Sequence, residues 1–276
     1  MQIGEYIKEI TAILKDGGIS SPALDAQVIA AHFLKMERHQ LVTWNDRTVP
    51  EHEKSLIDKA VKRRLKFEPV AYITGVKEFY SLEFEVNPNV LIPRPETELL
   101  VDMAIYWAGL NSSVLDLCTG SGAIAIALKH SRGDLDVCAS DISEKALETA
   151  ERNAEKIFGK RKISFYQGDL FLPFKDEKFA LIVSNPPYVP ENIKGELQKE
   201  LEFEPVSALY AGDNGTSVIK KIIEKSPEHL YDNGILLLEI GSEHREFIEK
   251  TGRENGFRVS VLNDYAGLPR VATLKK

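Results

Sequence analysis

The sequence predicts an α/β protein in which a seven-stranded, mostly parallel sheet is wrapped by helices, preceded by a small all-α domain and a β-hairpin. Three observations carry this. From Val114 onward apolar runs alternate with helical patterns, as a parallel sheet with helical crossovers requires. Residues 3 to about 67 show only the three- and four-residue spacing of amphipathic helices. The last two apolar runs are separated by only a few residues, Asn263, Asp264 and Gly267 among them, so they pair antiparallel and the final strand opposes the others.

The elements follow in order. Ile3, Ile7, Ile10 and Leu14 mark one helix, which Gly17-Gly18 stops. Ser21 as N-cap and Pro22 as first helical residue open another, with Leu24, Val28, Ala31 and Leu34 along one face. Pro50 opens a further helix whose basic end holds Lys59, Lys62, Arg63, Arg64 and Lys66, a solvated cluster favoured by the helix dipole or a patch for an acidic partner. Residues 79 to 92 switch to a period near two: Leu82, Phe84 and Val86 alternate, and Asn87-Pro88-Asn89 turns the chain into Val90-Leu91-Ile92 as a hairpin. Pro95 opens a helix to about Trp107. The sheet strands are then VLDL from Val114, LDVCAS from Leu135, ISFYQ from Ile163, FALIVS from Phe179, ILLLEI from Ile235, FRVSVL from Phe257 and RVATLK from Arg270. The expected domains are a helical one over 1–75, a linking hairpin over 76–93 and the α/β domain over 94–276.

Composition narrows the function. With 43% hydrophobic and 28% charged residues the chain is ordinary globular protein, which excludes a disordered or fibrous state. The net charge of −7 excludes a general positive field for wrapping nucleic acid, and it is unevenly spread. Residues 1–75 hold eleven basic and ten acidic side chains; residues 76–276 hold 24 and 32. Two cysteines, Cys118 and Cys138, lack metal-ligand spacing, which excludes a disulfide framework and a zinc ribbon and points to a reducing compartment. The six histidines, His32, His39, His52, His130, His229 and His244, form no triad or metal pattern and receive no role. Without a secretory leader pattern or an apolar run of about 18 residues, a cytoplasmic protein is expected.

Val114 to Gly122 runs from an apolar strand through a glycine loop into a helix. Gly120, Gly122 and Ala125 fit a dinucleotide fingerprint, with Asp141 about 20 residues on at the next strand end, so a nicotinamide-dependent dehydrogenase is one reading. Asp116 at the strand tip and Asp169 after the third strand argue against it, because carboxylates repel a pyrophosphate. They suit S-adenosylmethionine, which carries a sulfonium and an ammonium against one carboxylate; Asp141 is placed for ribose hydroxyls. Cys118 stands where methyltransferases of this kind often have another glycine. Asp141 followed by Ser143 can also be a helix cap.

Asn185-Pro186-Pro187-Tyr188 follows Leu181-Ile182-Val183 and therefore sits at the C-terminal edge of a buried strand, where open α/β sheets bind ligands. A planar amide or amino nitrogen is a poor nucleophile because its lone pair is delocalised. A site that methylates one must accept its hydrogens and aim it. The Asn185 side-chain carbonyl and the Pro186 backbone carbonyl supply two acceptors, the prolines stiffen the loop, and Tyr188 offers a flat face. No metal is required: an in-line displacement at the methyl carbon is accelerated by positioning and electrostatics.

These motifs resemble the release factor glutamine methyltransferases, the PrmC or HemK family, over nearly the whole chain. Ile92-Pro93-Arg94-Pro95-Glu96-Thr97-Glu98, Asn185-Pro186-Pro187-Tyr188, and Glu204-Pro205 with Ala208-Leu209 and Gly212 carry the likeness together. The resemblance implies a Rossmann-like class I methyltransferase fold. It also implies methyl transfer from S-adenosylmethionine, leaving S-adenosylhomocysteine, to the side-chain amide nitrogen (N5) of glutamine in the Gly-Gly-Gln motif of bacterial class I peptide chain release factors. Cys118, Thr119, Gly120, Ser121, Gly122, Asp141, Asp169, Leu170 and Asn185 are the expected cofactor contacts. Asn185, Pro186, Pro187 and Tyr188 are the expected substrate contacts, with Asn185, Pro186 and Tyr188 catalytic. Leu170 stands where some relatives have tryptophan. A monomer is expected, with a release factor as partner and neither nucleic acid nor membrane. A DNA or RNA amino-methyltransferase shares the Asn-Pro-Pro-Tyr chemistry but needs a positive track, and a noncatalytic cofactor-binding module would have no use for Asn185 with Tyr188.

Overall fold

A computed structural model describes residues 1–160, 162–195 and 197–276. The chain forms two compact units, Met1–Val76 with Gln198–Phe203, and Lys77–Leu197 with Glu204–Lys276.

In the first unit, α1 (Ile3–Asp16), α2 (Pro22–Leu34), α3 (Arg38–Thr43), α4 (Glu51–Arg64) and α5 (Val70–Thr74) enclose one apolar core. α1 buries Ile3, Tyr6, Ile10 and Leu14, one stripe at helical spacing. Of the apolar set expected on α2, Ala31 is buried and Leu34 packs against the core, but Leu24 is 47% exposed, and the buried face is completed by Asp25, Ala26, Ile29 and Ala30. The reason is polar. Asp25 Oδ2 accepts from Arg64 Nε at 2.7 Å, and Ser21 Oγ donates to Asp25 Oδ1 at 2.8 Å instead of capping the helix. The basic end of α4 is correspondingly not a uniformly solvated cluster. Arg64 is only 3% exposed, and its Nη2 also donates to Glu200 Oε1 at 2.7 Å. Glu200 belongs to Gln198–Phe203, so a single guanidinium fork joins α2, α4 and that returning segment.

The second unit opens with a two-stranded sheet, β1 (Val76–Phe79) and β2 (Leu82–Glu85). Val76 itself is counted with the first unit. The turn is Tyr80-Ser81, both with φ in the left-handed region (51° and 61°), and not Asn87-Pro88-Asn89; Val90-Leu91-Ile92 forms no strand. Without the Asn-Gly or Gly-Gly pair that usually announces such a turn, the connection carried no sequence signal. Asn153 secures β2 by accepting from Glu85 N at 2.6 Å and donating to Glu85 O at 3.0 Å.

A 3-10 turn over Pro95–Thr97 leads into α6 (Glu98–Trp107), and the main sheet then alternates with helices. Its elements are β3 (Ser113–Leu117), α7 (Ala123–Ser131), β4 (Asp136–Asp141), α8 (Glu144–Phe158), β5 (Ser164–Gln167) and β6 (Phe179–Ser184). A small parallel pair, β7 (Val189–Pro190) and β8 (Tyr210–Ala211), flanks the short α9 (Val206–Leu209). α10 (Ser217–His229), β9 (Leu230–Glu239), α11 (Arg245–Glu254), β10 (Arg258–Asn263) and β11 (Pro269–Lys275) complete the chain. The strand order is β10-β11-β9-β6-β3-β4-β5, all neighbours parallel except β11, which runs antiparallel to both β9 and β10. Alternate strand residues supply two cores. Val114, Val137, Leu181, Val183 and Leu237 pack with α6, α7 and α8, while Leu115, Leu117, Ile182, Leu236 and Leu238 pack with α10 and α11.

The order reverses at β3, which has β4 on one side and β6 on the other. The parallel registers Leu117↔Ser140, Leu117↔Ser184 and Ser184↔Leu238 bring Cys118, Asp141, Asn185 and Glu239 to one edge of the sheet. Ligands of open α/β sheets bind at such a switch point.

Arg64→Ala leaves Asp25 buried without its cation and should cost about 3 to 5 kcal/mol of stability in denaturant titration. Arg64→Lys should recover little, because a single ammonium cannot reproduce the planar fork.

Candidate active site

The loop after β3 is built on left-handed backbone. Cys118, Gly120 and Gly122 have φ of 59°, 57° and 80°. At Gly122 a side chain would also be crowded, since a Cβ would lie 3.0 Å from both Ala150 Cβ and Ile126 Cδ1. Thr119 N donates to Ser140 O at 3.0 Å and ties the loop to β4. Asp116 does not face a ligand, contrary to expectation. It is fully buried beneath the loop, and its Oδ2 accepts from Thr119 Oγ1 at 2.6 Å and Ala125 N at 3.2 Å. Burial pushes its carboxyl up to about 7, against the pull of those two hydrogen bonds.

Asp141, at the end of β4, is doubly committed. Oδ2 accepts from Gly120 N and Oδ1 from Ser143 N, both at 2.9 Å. The cap of α8 is Ser143, whose Oγ accepts from Ala146 N at 3.2 Å. Burial raises the Asp141 pKa, and the N–H groups of Ser143 and Gly120 draw it back.

A hollow of about 300 Å³ opens over this edge, within the range of small-molecule sites. Of the residues expected from sequence, Cys118, Gly120, Asp141, Asp169, Leu170, Asn185 and Pro187 line it. A second hollow of about 40 Å³ is lined by Thr119 and Ser121 and shares Cys118, Gly120 and Asn185 with the first. Gly122, Pro186 and Tyr188 line neither. Ser140 and Ile142 also line the larger hollow. Ser140 Oγ is buried without a hydrogen-bond partner, and Ile142 is 61% exposed directly after the Asp141 carboxylate. An apolar residue following a strand-end acid was the only sequence sign of that wall.

Asn185 stands where the two hollows meet. Its Nδ2 donates to Thr97 Oγ1 at 3.2 Å, which leaves Oδ1 as the end of the amide available to accept. Tyr188 turns inward, its hydroxyl donating to Glu239 Oε1 at 3.3 Å. Burial and the neighbouring Glu239 carboxylate both raise the Tyr188 pKa. Behind the loop, Gly215 approaches so closely that a Cβ there would sit 2.1 Å from Tyr188 O. Arg94 forms an ion pair with Glu204, whose other oxygen accepts from Ile92 N at 3.0 Å, so two separate motifs of the sequence meet in one contact. Glu204, Thr97 and Glu239 were not recognised as site residues from the sequence. A strand-end glutamate after four apolar residues was the available signal for the last.

The arrangement offers a glycine loop with a fixed carboxylate and, where the two hollows meet, an amide acceptor. Residues 5–75 match the family described as PrmC N-terminal domain, and residues 96–202 match the methyltransferase small domain. The release factor glutamine methyltransferase of Vibrio cholerae serotype O1 is 40% identical over 268 residues, 96% of this chain and 93% of that protein. The protein of the same name from Neisseria gonorrhoeae is 42% identical, covering 91% and 92%. The chain belongs to the release factor glutamine methyltransferase family. Its fold is shared with a methyltransferase from Pyrococcus furiosus, TM-score 0.55 at 18% identity over 82% of this chain and 98% of that one.

The enzyme is thus a methyltransferase, with S-adenosylmethionine as cofactor. The residues present fit that molecule. The hollow joins two carboxylates, Asp141 and Asp169, with apolar Ile142 and Leu170 and an unpartnered Ser140 hydroxyl, a donor and acceptor set for a ribose, a flat base and a cation. Among the described residues no cluster could hold a metal ion, and no helix is long and apolar enough to cross a membrane.

Asp116 makes stability depend on pH. The folded protein retains this proton to about pH 7, whereas the unfolded chain loses it near 3.8, so raising the pH between those values removes stability. Asp116→Asn, with its carbonyl facing Thr119 and Ala125, should remove up to one proton from that slope in denaturant titrations across pH 4 to 7.

Proposed function

We propose that the chain methylates the side-chain amide nitrogen (N5) of the glutamine in the Gly-Gly-Gln motif of class I peptide chain release factors. One observation carries the reading: Asn185 holds its amide by Nδ2 at the junction of two hollows, so its carbonyl is the acceptor that an incoming amide meets.

The loop from Cys118 to Gly122, Asp141, Asp169 and Leu170 would hold the cofactor, and Asp141 would meet the ribose. S-adenosylmethionine supplies an electrophilic methyl group when bound. Asn185 Oδ1 and the Pro186 carbonyl accept the two N–H groups of the glutamine amide and aim its nitrogen. Pro187 walls the hollow. Tyr188 serves by its hydroxyl, which anchors the loop, since its ring does not line the hollows. Accepting from both hydrogens favours the charge that develops on nitrogen, and the proton leaves once the methyl has transferred.

The helical residues 1–75 are assigned to recognition of the release factor, the hairpin 76–93 to linking, and 94–276 to catalysis. The enzyme acts as a monomer on a protein substrate. A nucleic-acid substrate is disfavoured by the excess of acidic over basic residues in 76–276, 32 against 24.

Transfer of labelled methyl to purified release factors, with mass-spectrometric location of the mark, tests the substrate; a mark anywhere but that glutamine overturns it. Asn185→Ala should slow single-turnover methyl transfer by roughly 10²- to 10³-fold with cofactor binding retained, while Asn185→Asp, which still accepts, keeps part of the activity. Asp141→Ala should instead weaken cofactor binding by roughly 1.5 to 3 kcal/mol in calorimetry, the loss of a charged hydrogen bond.

A further inference from the structure

The last peptide of the Asn-Pro-Pro-Tyr loop rests on a turn from further along the second unit. Gly215 packs so tightly against Tyr188 that a Cβ would lie 2.1 Å from the Tyr188 carbonyl oxygen and 2.9 Å from its carbon. Asp213, Asn214 and Gly215 follow one another in the left-handed region, with φ of 53°, 55° and 86°. Two residues with side chains there cost conformational energy, which the surroundings must offset. Gly215 N donates to Gly212 O at 3.1 Å, Thr216 Oγ1 to Asp213 O at 2.7 Å, and Ser217 N to Gly212 O at 3.1 Å. Asn214 O faces His244 Nε2 at 3.2 Å. A carbonyl only accepts, so the imidazole carries its hydrogen on Nε2. His244 is buried, and its ring meets that of Tyr188 edge to face at a centroid distance of 6.3 Å. Its Cε1 stands 3.2 Å from the place a Gly215 Cβ would take.

Pro186 and Pro187 have φ fixed by their rings, so the stretch from Asn185 to Tyr188 moves as a stiff piece. A displacement of the Tyr188 peptide therefore reaches the Pro186 carbonyl and the Asn185 amide. Just beyond, Val189 pairs with Tyr210, which binds the end of the loop and the approach to the turn into one frame. We infer that Gly215 and His244 are positioning residues: the His244 imidazole braces the left-handed turn, and the bare Gly215 backbone sets the height of the Tyr188 peptide and, with it, of the two acceptors that aim the glutamine amide. Neither residue lines a hollow, so their task is separable from holding the cofactor.

The inference rests on the assignment of Asn185 and Pro186 as acceptors, and single-turnover methyl transfer to purified release factor, with cofactor calorimetry and thermal melting, separates the two. Gly215→Ala should lower the transfer rate by roughly 10-fold or more with cofactor Kd and KM for release factor unchanged, because a displaced acceptor costs the chemical step. Gly256→Ala is the control. Gly256 has φ of 85° and nothing within 4 Å of a Cβ, so alanine there carries left-handed strain without touching the loop and should keep the wild-type rate. For the imidazole, a glutamine side chain can place an N–H where His244 carries Nε2, whereas asparagine is one methylene short and reaches only the position of Nδ1. His244→Gln should therefore keep most of the rate, and His244→Asn should fall as Gly215→Ala does. A wild-type rate in Gly215→Ala, or equal rates in His244→Gln and His244→Asn, while Asn185→Ala is slow, overturns this inference alone. So does a Gly256→Ala variant as slow as Gly215→Ala, or a cofactor Kd that weakens as much as the rate falls. A wild-type rate in Asn185→Ala overturns the acceptor assignment and this inference with it. Should Gly215→Ala fail to fold, the His244 pair decides by itself.

Discussion

Four carboxylates hold the loops of the catalytic edge in place. Loops beyond a strand end lose the ladder that satisfies backbone N–H groups, and each orphan donor needs an acceptor. Asp116 takes Ala125 N and the Thr119 hydroxyl, Asp141 takes Gly120 N and Ser143 N, and Glu204 takes Ile92 N and Arg94. Glu239 takes Tyr188. A carboxyl group offers two oxygens with several lone-pair directions, so one side chain can bind two loops. Hydroxyl or amide side chains at these positions could bond as well, but their direction would be negotiable.

Concentrating acids at one edge has an electrostatic consequence. Each burial disfavours charge, and the protein limits this cost in different ways. Asp116 has its carboxyl pushed up to about 7, Asp141 is solvated by backbone N–H groups, and Glu204 and Glu239 have Arg94 and Arg270 within reach. Among the described residues, neither carboxylate lining the larger hollow, Asp141 or Asp169, has an arginine partner. Their uncompensated charge suits a ligand bearing a sulfonium and an ammonium and repels a pyrophosphate, which is why the dinucleotide reading of the same glycine loop loses.

Much of this was legible because local patterns are strong where burial is uniform. Apolar strand runs such as Leu181-Ile182-Val183, inside the sheet with helices on both faces, announce themselves, and motifs at strand ends inherit their place from the strand. Positions fixed by distant polar partners were not legible. The α2 face was only partly foreseen, in Ala31 and Leu34, because Asp25 turns inward to Arg64, 39 positions away in the chain. The hairpin turn was misplaced because Tyr80 and Ser81 adopt left-handed backbone without a glycine to mark it. Asp116 was expected at the ligand, yet it sits beneath the loop as the acceptor for Thr119. Tyr188 was expected to present its ring, and nothing in Asn-Pro-Pro-Tyr reveals that its hydroxyl has a partner 51 positions downstream.

Among the described residues lining the two hollows with Asn185 there is no histidine or lysine, and the chemistry of amides requires none. A neutral amide nitrogen has hydrogens that are hard to remove before attack and easily lost afterwards, because the alkylated, protonated nitrogen is a strong acid. A base poised to take a proton first would need to be stronger than any side chain buried among acids. Two acceptors that push electron density onto nitrogen through the N–H bonds accomplish the useful part, and a proton on its way out then needs only water. The buried Glu239 accordingly serves the loop as the anchor of Tyr188 and not as a base. It accepts from the Tyr188 hydroxyl at 3.3 Å and lines neither hollow.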